Sequence, residues 1–91
     1  MKKIRVSTTS KSVTLANSIV VMLRDDTSIQ ISAIGAGAVN QAIKAIAVAR
    51  GMIASRGLDL VCMPAFRNVF IDGIEKTAMD ITVEVCDIEC A

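Results

Sequence analysis

Val39, Ala42, Ile43, Ile46, Ala49 and Ile53 recur at the spacing of one helix face, with Asn40, Gln41, Lys44 and Arg50 largely off it. Gly35 and Gly37 stand just before this stripe and let the backbone turn where a Cβ would clash. The run Ala33–Gly51 therefore reads as the end of a strand, a tight turn and a helix rich in small residues. Arg56-Gly57 is its stop signal. Nearer the start, Leu15, Ala16, Ile19, Val20 and Leu23 predict a first helix over Val13–Arg24. Its β-branched residues weaken it intrinsically, so packing must hold it. The hydroxyl-rich turn from Thr8 to Ser12 suits a helix N-cap, and Asp25-Asp26 ends the helix against the sense of its dipole.

Two-residue alternation marks the strands. Ile4 and Val6 against Arg5 and Ser7 predict one over Ile4–Thr8; Ile29, Ile31 and Ala33 against Gln30 and Ser32 predict a second over Ile29–Ile34. Leu58–Ile71 reads as a long third strand in which Pro64 implies a bulge or an edge position. Asp72-Gly73 is a turn dipeptide. Met79, Ile81, Val83 and Val85 then alternate with Asp80, Thr82 and Glu84 in a strand over Thr77–Val85. The order β-α-β-α-β-β predicts an α/β chain, an α+β two-layer sandwich with two helices on a four-stranded mixed sheet. Residues 1–86 make a single domain and 87–91 a C-terminal tail.

Composition adds a constraint. In 91 residues, 53% are apolar, and Phe66 and Phe70 are the only aromatics. So much aliphatic surface is hard to hide in one small domain, which points to a homodimer or homotetramer. No apolar stretch reaches the roughly 18 residues of a membrane span. Met1-Lys2-Lys3 leads into the polar Ser7–Ser12 rather than an apolar signal core, so a cytoplasmic protein without a membrane partner is expected.

Catalytic chemistry has little to work with. There is no histidine and no tyrosine, and nothing marks a nucleophile beside a base. Asp25-Asp26, Asp72 and Glu75 read as solvated loop carboxylates. Cys62, Cys86 and Cys90 are too few for a zinc site and odd for a disulfide framework. Cys62 is expected to be a buried thiol in an apolar strand, and Cys90 exposed beside the terminus. Gly35-x-Gly37 lacks the third glycine of a dinucleotide fingerprint and the Lys-Ser/Thr of a P-loop, so turning and close packing account for it. The expectation is a non-enzyme with no metal and no cofactor.

Charge is uneven. Residues 1–56 hold eight cations and two carboxylates; residues 57–91 hold two cations and seven carboxylates. This permits one basic face on a chain of net charge +1, and it equally fits an ordinary solvated surface. Candidate phosphate contacts are Lys11 in the first turn, Lys44 on the long helix, and Arg67 and Lys76 on the final hairpin. Two aromatics are too few for a base-stacking platform. Binding to DNA or RNA would then rest on the backbone and be salt-sensitive.

The run Ala33–Gly51, the stretch Asp59-Leu60-Val61-Cys62-Met63-Pro64-Ala65-Phe66, and Ile71-Asp72-Gly73 with Glu75-Lys76-Thr77-Ala78 resemble the stage V sporulation protein S family. The resemblance covers about Ile4 to Glu84. It implies a small protein of sporulation control with an Alba-like fold, the architecture of archaeal chromatin proteins that bind DNA or RNA as dimers. By that analogy the first turn, the second helix and the last hairpin form the nucleic-acid face, again Lys11, Lys44, Arg67 and Lys76. In the first turn Lys11 stands about two residues later than the family's lysine, and Gly35–Ala38 replace the basic residues that Alba proteins carry there. Two functions follow from these observations: an oligomeric nucleic-acid-binding regulator, or a regulator acting through protein contacts alone.

Overall fold

The computed structural model describes residues 2–87. The expected tail therefore lies outside the described residues except for Asp87, which is the last residue of a strand. The order is β1 (Lys2–Val6), α1 (Ser12–Asp25), β2 (Ser28–Ile34), α2 (Ala36–Ile53), a 3-10 turn (Ala54–Arg56), β3 (Leu58–Ile71) and β4 (Ile74–Asp87). The sheet order is β1-β2-β4-β3, with β1 and β2 parallel and the other pairs antiparallel. Both helices cover one face of this sheet.

α2 is seated by small side chains. Ala38, Ala42, Ala45 and Ala49 are each no more than 2% exposed, and Ala16 of α1 is fully covered. Side chains this short let the helices approach closely, while Ile46 and Ile53 supply bulk. Beneath them lie Ile29, Ile31 and Ala33 of β2 and Ile81 and Val83 of β4, all essentially buried. Burying each Ile or Val of this set contributes roughly 1.5–3 kcal/mol.

β1 begins and ends two residues earlier than its alternation suggests. From Ser7 the hydroxyls bond to one another: the Ser7 N–H donates to Ser10 Oγ at 3.0 Å, and Ser7 Oγ lies 3.0 Å from Thr9 Oγ1. The cluster closes a turn instead of extending the strand, and Lys11, not a hydroxyl residue, takes the N-cap position of α1. Gln41 of α2 ties this turn down by donating to the Ser10 carbonyl at 2.6 Å. At the other end of α1, Lys2 Nζ sits 3.6 and 3.7 Å from Asp25 and Asp26, which offsets their conflict with the helix dipole.

β3 and β4 pair in one register without a slip, from Leu58 opposite Asp87 to Ile71 opposite Ile74. Pro64 is accommodated because β3 is an edge strand; it makes no bulge. Asp72 and Gly73 both have positive φ, 52° and 76°, the geometry of a two-residue type I′ turn. β4 pairs with β2 only over Ala78–Glu84, so Ile74–Thr77 and their β3 partners overhang the body. This ribbon gives the molecule its 46 Å long axis against 21 and 20 Å.

Overhang also corrects one expectation. Cys62 is exposed, because the helices cover only the start of β3 and leave its central and distal residues open.

The glycines before and within α2 make opposite predictions. Gly35 has φ 88° and ψ 158°, a region almost confined to glycine, although a Cβ there would touch nothing. Gly35→Ala should cost about 1–3 kcal/mol in urea unfolding. Gly51 lies in the helix with open space around it, so Gly51→Ala should stabilise by about 0.5–1 kcal/mol.

Candidate nucleic-acid interface

Strand alternation assigns the cations to faces. On the side of the sheet away from the helices, Lys3 and Arg5 of β1, Arg67 of β3 and Lys76 of β4 stand with Asp80 and Glu84. Lys76 is exposed opposite Val69, and its neighbour Glu75 belongs to the other side of the ribbon, opposite Phe70. Lys11 is exposed at the end of the first turn. Lys44 is exposed on α2, in the helical layer. The open side of the sheet thus joins Arg67 and Lys76, whereas Lys44 belongs to the opposite layer.

Arg67 is not a free cation. Its Nε donates to Asp80 at 2.7 Å, and one Nη reaches Asp80 and Ser32 at 3.5 Å. This bond holds the Asp80 carboxyl below the usual carboxylate range, with Ser32 and Lys3 adding to the effect, and raises the Arg67 guanidinium further. Hydropathy patterning alone does not point to this pair. A two-residue turn at Asp72-Gly73 does, because it fixes the register that puts Arg67 diagonally beside Asp80.

A second pair anchors the opposite end of β3. Arg50 of α2 grips Asp59 with two bonds of 2.6 and 2.9 Å, and the Leu60 N–H donates to the same carboxylate at 2.7 Å. Asp59 is 5% exposed. Arg50 and then Leu60 hold its carboxyl low against the opposing effect of burial. This bond joins helix to edge strand and so is structural rather than a ligand site. Arg50 is thus engaged by a carboxylate, as Arg67 is.

Apolar surface is the other feature of the ribbon. Phe66 and Phe70 are 74% and 73% exposed, both on the helix side. Behind them runs a groove lined by Val39, Asn40 and Ile43 of α2 and by Thr77 and Met79 of β4. No charged residue lines it.

Two helices on one face of a β1-β2-β4-β3 sheet, with a long terminal hairpin, define the Alba-like class. Alba from Thermoplasma volcanium superposes with a TM-score of 0.66 at 13% identity, over 91% of this chain and 99% of that one. The likeness is one of fold. Residues 2–86 match the family described as stage V sporulation protein S, and the chain belongs to that family. It is therefore a sporulation-related protein with an Alba-like fold. Among the described residues, no helix is long and apolar enough to cross a membrane.

The two ion pairs set an acid limit on the fold. Asp59 and Asp80 have folded pKa values below their unfolded ones, so on acidification the unfolded chain takes up protons first. Their stabilisation is complete above the ordinary carboxylate pKa of about 4 and is lost as pH falls through the folded values. Urea midpoints measured from about pH 7 down to about pH 3 should fall. Asp59→Asn should lower the midpoint at neutral pH and flatten that fall.

Proposed function

We propose that this protein is a small, non-catalytic cytoplasmic regulator that binds nucleic acid through phosphate contacts as a homo-oligomer. The supporting observation is the overhanging ribbon, which carries Lys76 clear of the body on the same face as Arg67. A two-stranded ribbon is narrow enough to enter a groove, and cations on its sheet face can meet phosphates. Lys76 makes no ion pair among the described residues, so its charge is available to a partner.

The uncharged groove beside Phe66 supports a homodimer as the unit. In a two-fold dimer the same patch meets itself, and a patch without charge meets itself without repulsion. Val39, Ile43 and Met79 would be covered by the second copy, removing part of the exposed apolar area. Two ribbons would then present two copies of Arg67 and Lys76 to one ligand. Lys11 and Lys44 complete the proposed contacts from the first turn and α2.

A second reading has its own support. Arg67 is already satisfied by Asp80, and the ribbon's largest exposed side chains, Phe66 and Phe70, suit a protein partner.

Fluorescence anisotropy of labelled duplex DNA and duplex RNA separates the two readings. Phosphate binding should weaken steeply with salt, and each cation removed in a Lys11/Arg67/Lys76→Ala variant should lower the log–log slope by about one. No binding at low salt favours the protein-contact reading. Sedimentation equilibrium tests the dimer: Ile43→Asp should shift the population to monomer while leaving the circular dichroism spectrum unchanged.

A further inference from the structure

The open side of the sheet holds a recess of about 520 Å³ with a mixed polar and apolar lining at the root of the ribbon. Arg5, Ser7, Thr8, Ser32 and Arg67 line it, drawn from β1, the first turn, β2 and β3. Val6, Ile34 and Val69 supply its apolar lining. No single stretch of chain predicts this grouping, because it depends on the β1-β2-β4-β3 strand order.

Arg5 is opposite Ser32 in the sheet register, and Ser32 is opposite Asp80. Arg5 is exposed and makes no ion pair among the described residues. It lines a recess whose other cation, Arg67, is held in place by Asp80. Among the described residues, Thr8 Oγ1 has no hydrogen-bond partner, whereas Ser7 is engaged with Thr9 and Ser10. Two guanidiniums and a spare hydroxyl around one recess suit a tetrahedral oxyanion, because guanidinium donors pair with phosphate oxygens in twos.

We propose that this recess is a phosphate seat, with Arg5 as its principal cation and Arg67 as a second that the ligand shares with Asp80. Asp80 has two opposed effects. It fixes the position of Arg67, and its carboxylate competes with the incoming oxyanion for the same donors. Removing that carboxylate should therefore tighten binding, an outcome opposite to the usual loss on breaking an ion pair. The phosphate can belong to a nucleic-acid backbone, as the proposed function would have it, or to a free phosphoryl ligand.

The test begins with inorganic phosphate titrated into the isotope-labelled protein, read by NMR at the arginine Nε–H signals. Saturable shifts at Arg5 and Arg67, with the Arg67 shift lost in Arg5→Gln, support the seat; flat signals, or an Arg67 shift unchanged by Arg5→Gln, overturn it. Asp80→Asn should lower the phosphate concentration at half-saturation by several-fold, and no change or weaker binding overturns the competition. Backbone amide spectra confirm that each variant is folded. Duplex anisotropy with the same variants then identifies the source. A loss of roughly tenfold in Arg5→Gln assigns the seat to the nucleic-acid backbone. Unchanged duplex affinity beside phosphate shifts assigns it to a free phosphoryl ligand and overturns the backbone assignment. Absence of duplex binding by the unaltered protein defeats the proposed function while the phosphate titration still decides the seat.

Discussion

Close approach between α2 and its neighbours is the constraint on which the remaining architecture rests. Alanines at four core-facing positions, with Ala16 across from them in α1, keep the helical layer thin and confined to one side of the sheet. A bulkier stripe would push α2 away from β2 and α1, since well-packed interiors yield to added methylenes only at a cost of about 1–3 kcal/mol. Gly37 belongs to the same constraint: a Cβ there would lie 2.5 Å from Thr8 Cγ2, so helix and first turn touch only because the side chain is absent. The Gln41 bond to Ser10 then fixes the turn that borders the open face. Thus a packing decision on one side of the sheet determines what stands at the rim of the other.

The two arginine–aspartate pairs divide the work along β3. Near its start, Arg50 and Asp59 clamp the strand to α2, with the Leu60 amide completing the carboxylate's partners. Farther along, Arg67 and Asp80 tie β3 to β4 where helix cover has ended. Beyond that point only the ladder and the turn support the ribbon. Stability is therefore concentrated in the body, and the terminal segment relies on backbone hydrogen bonds with exposed side chains, the condition in which local opening requires least free energy.

Much of this fold is legible in the sequence because hydrophobic periodicity reports which face of an element is covered. The β2 and β4 alternations follow the buried residues, and Ala42, Ile46, Ala49 and Ile53 of the α2 stripe are buried, but Val39 is only half-buried and Ile43 is 48% exposed, because the covered face of α2 is turned toward Ala38 and Ala45. What periodicity does not report is how far cover extends. Cys62 sits in an apolar strand by pattern, yet β3 outruns the helices and leaves it open. The hydroxyls after Val6 resemble an N-cap, but they satisfy one another first. Arg67 and Lys76 were readable as hairpin cations and share a face; Lys44 was readable as exposed but not as lying in the other layer. Arg5 reads only as the polar half of an alternation, since its neighbours across the sheet follow from strand order, a property of the whole chain.

A long outer strand is a hazard in solution. β3 is 14 residues long and sits at the border of the sheet, where its outward backbone groups could recruit a strand from another molecule. Pro64 lies mid-strand and has no N–H to offer, so a continuous intermolecular ladder along β3 would be interrupted there. The opposite border is β1, only five residues long and carrying Lys2, Lys3 and Arg5, which would repel an identical neighbour. The same proline that interrupts the strand pattern thus limits how far a neighbouring strand could pair along the outer edge of β3.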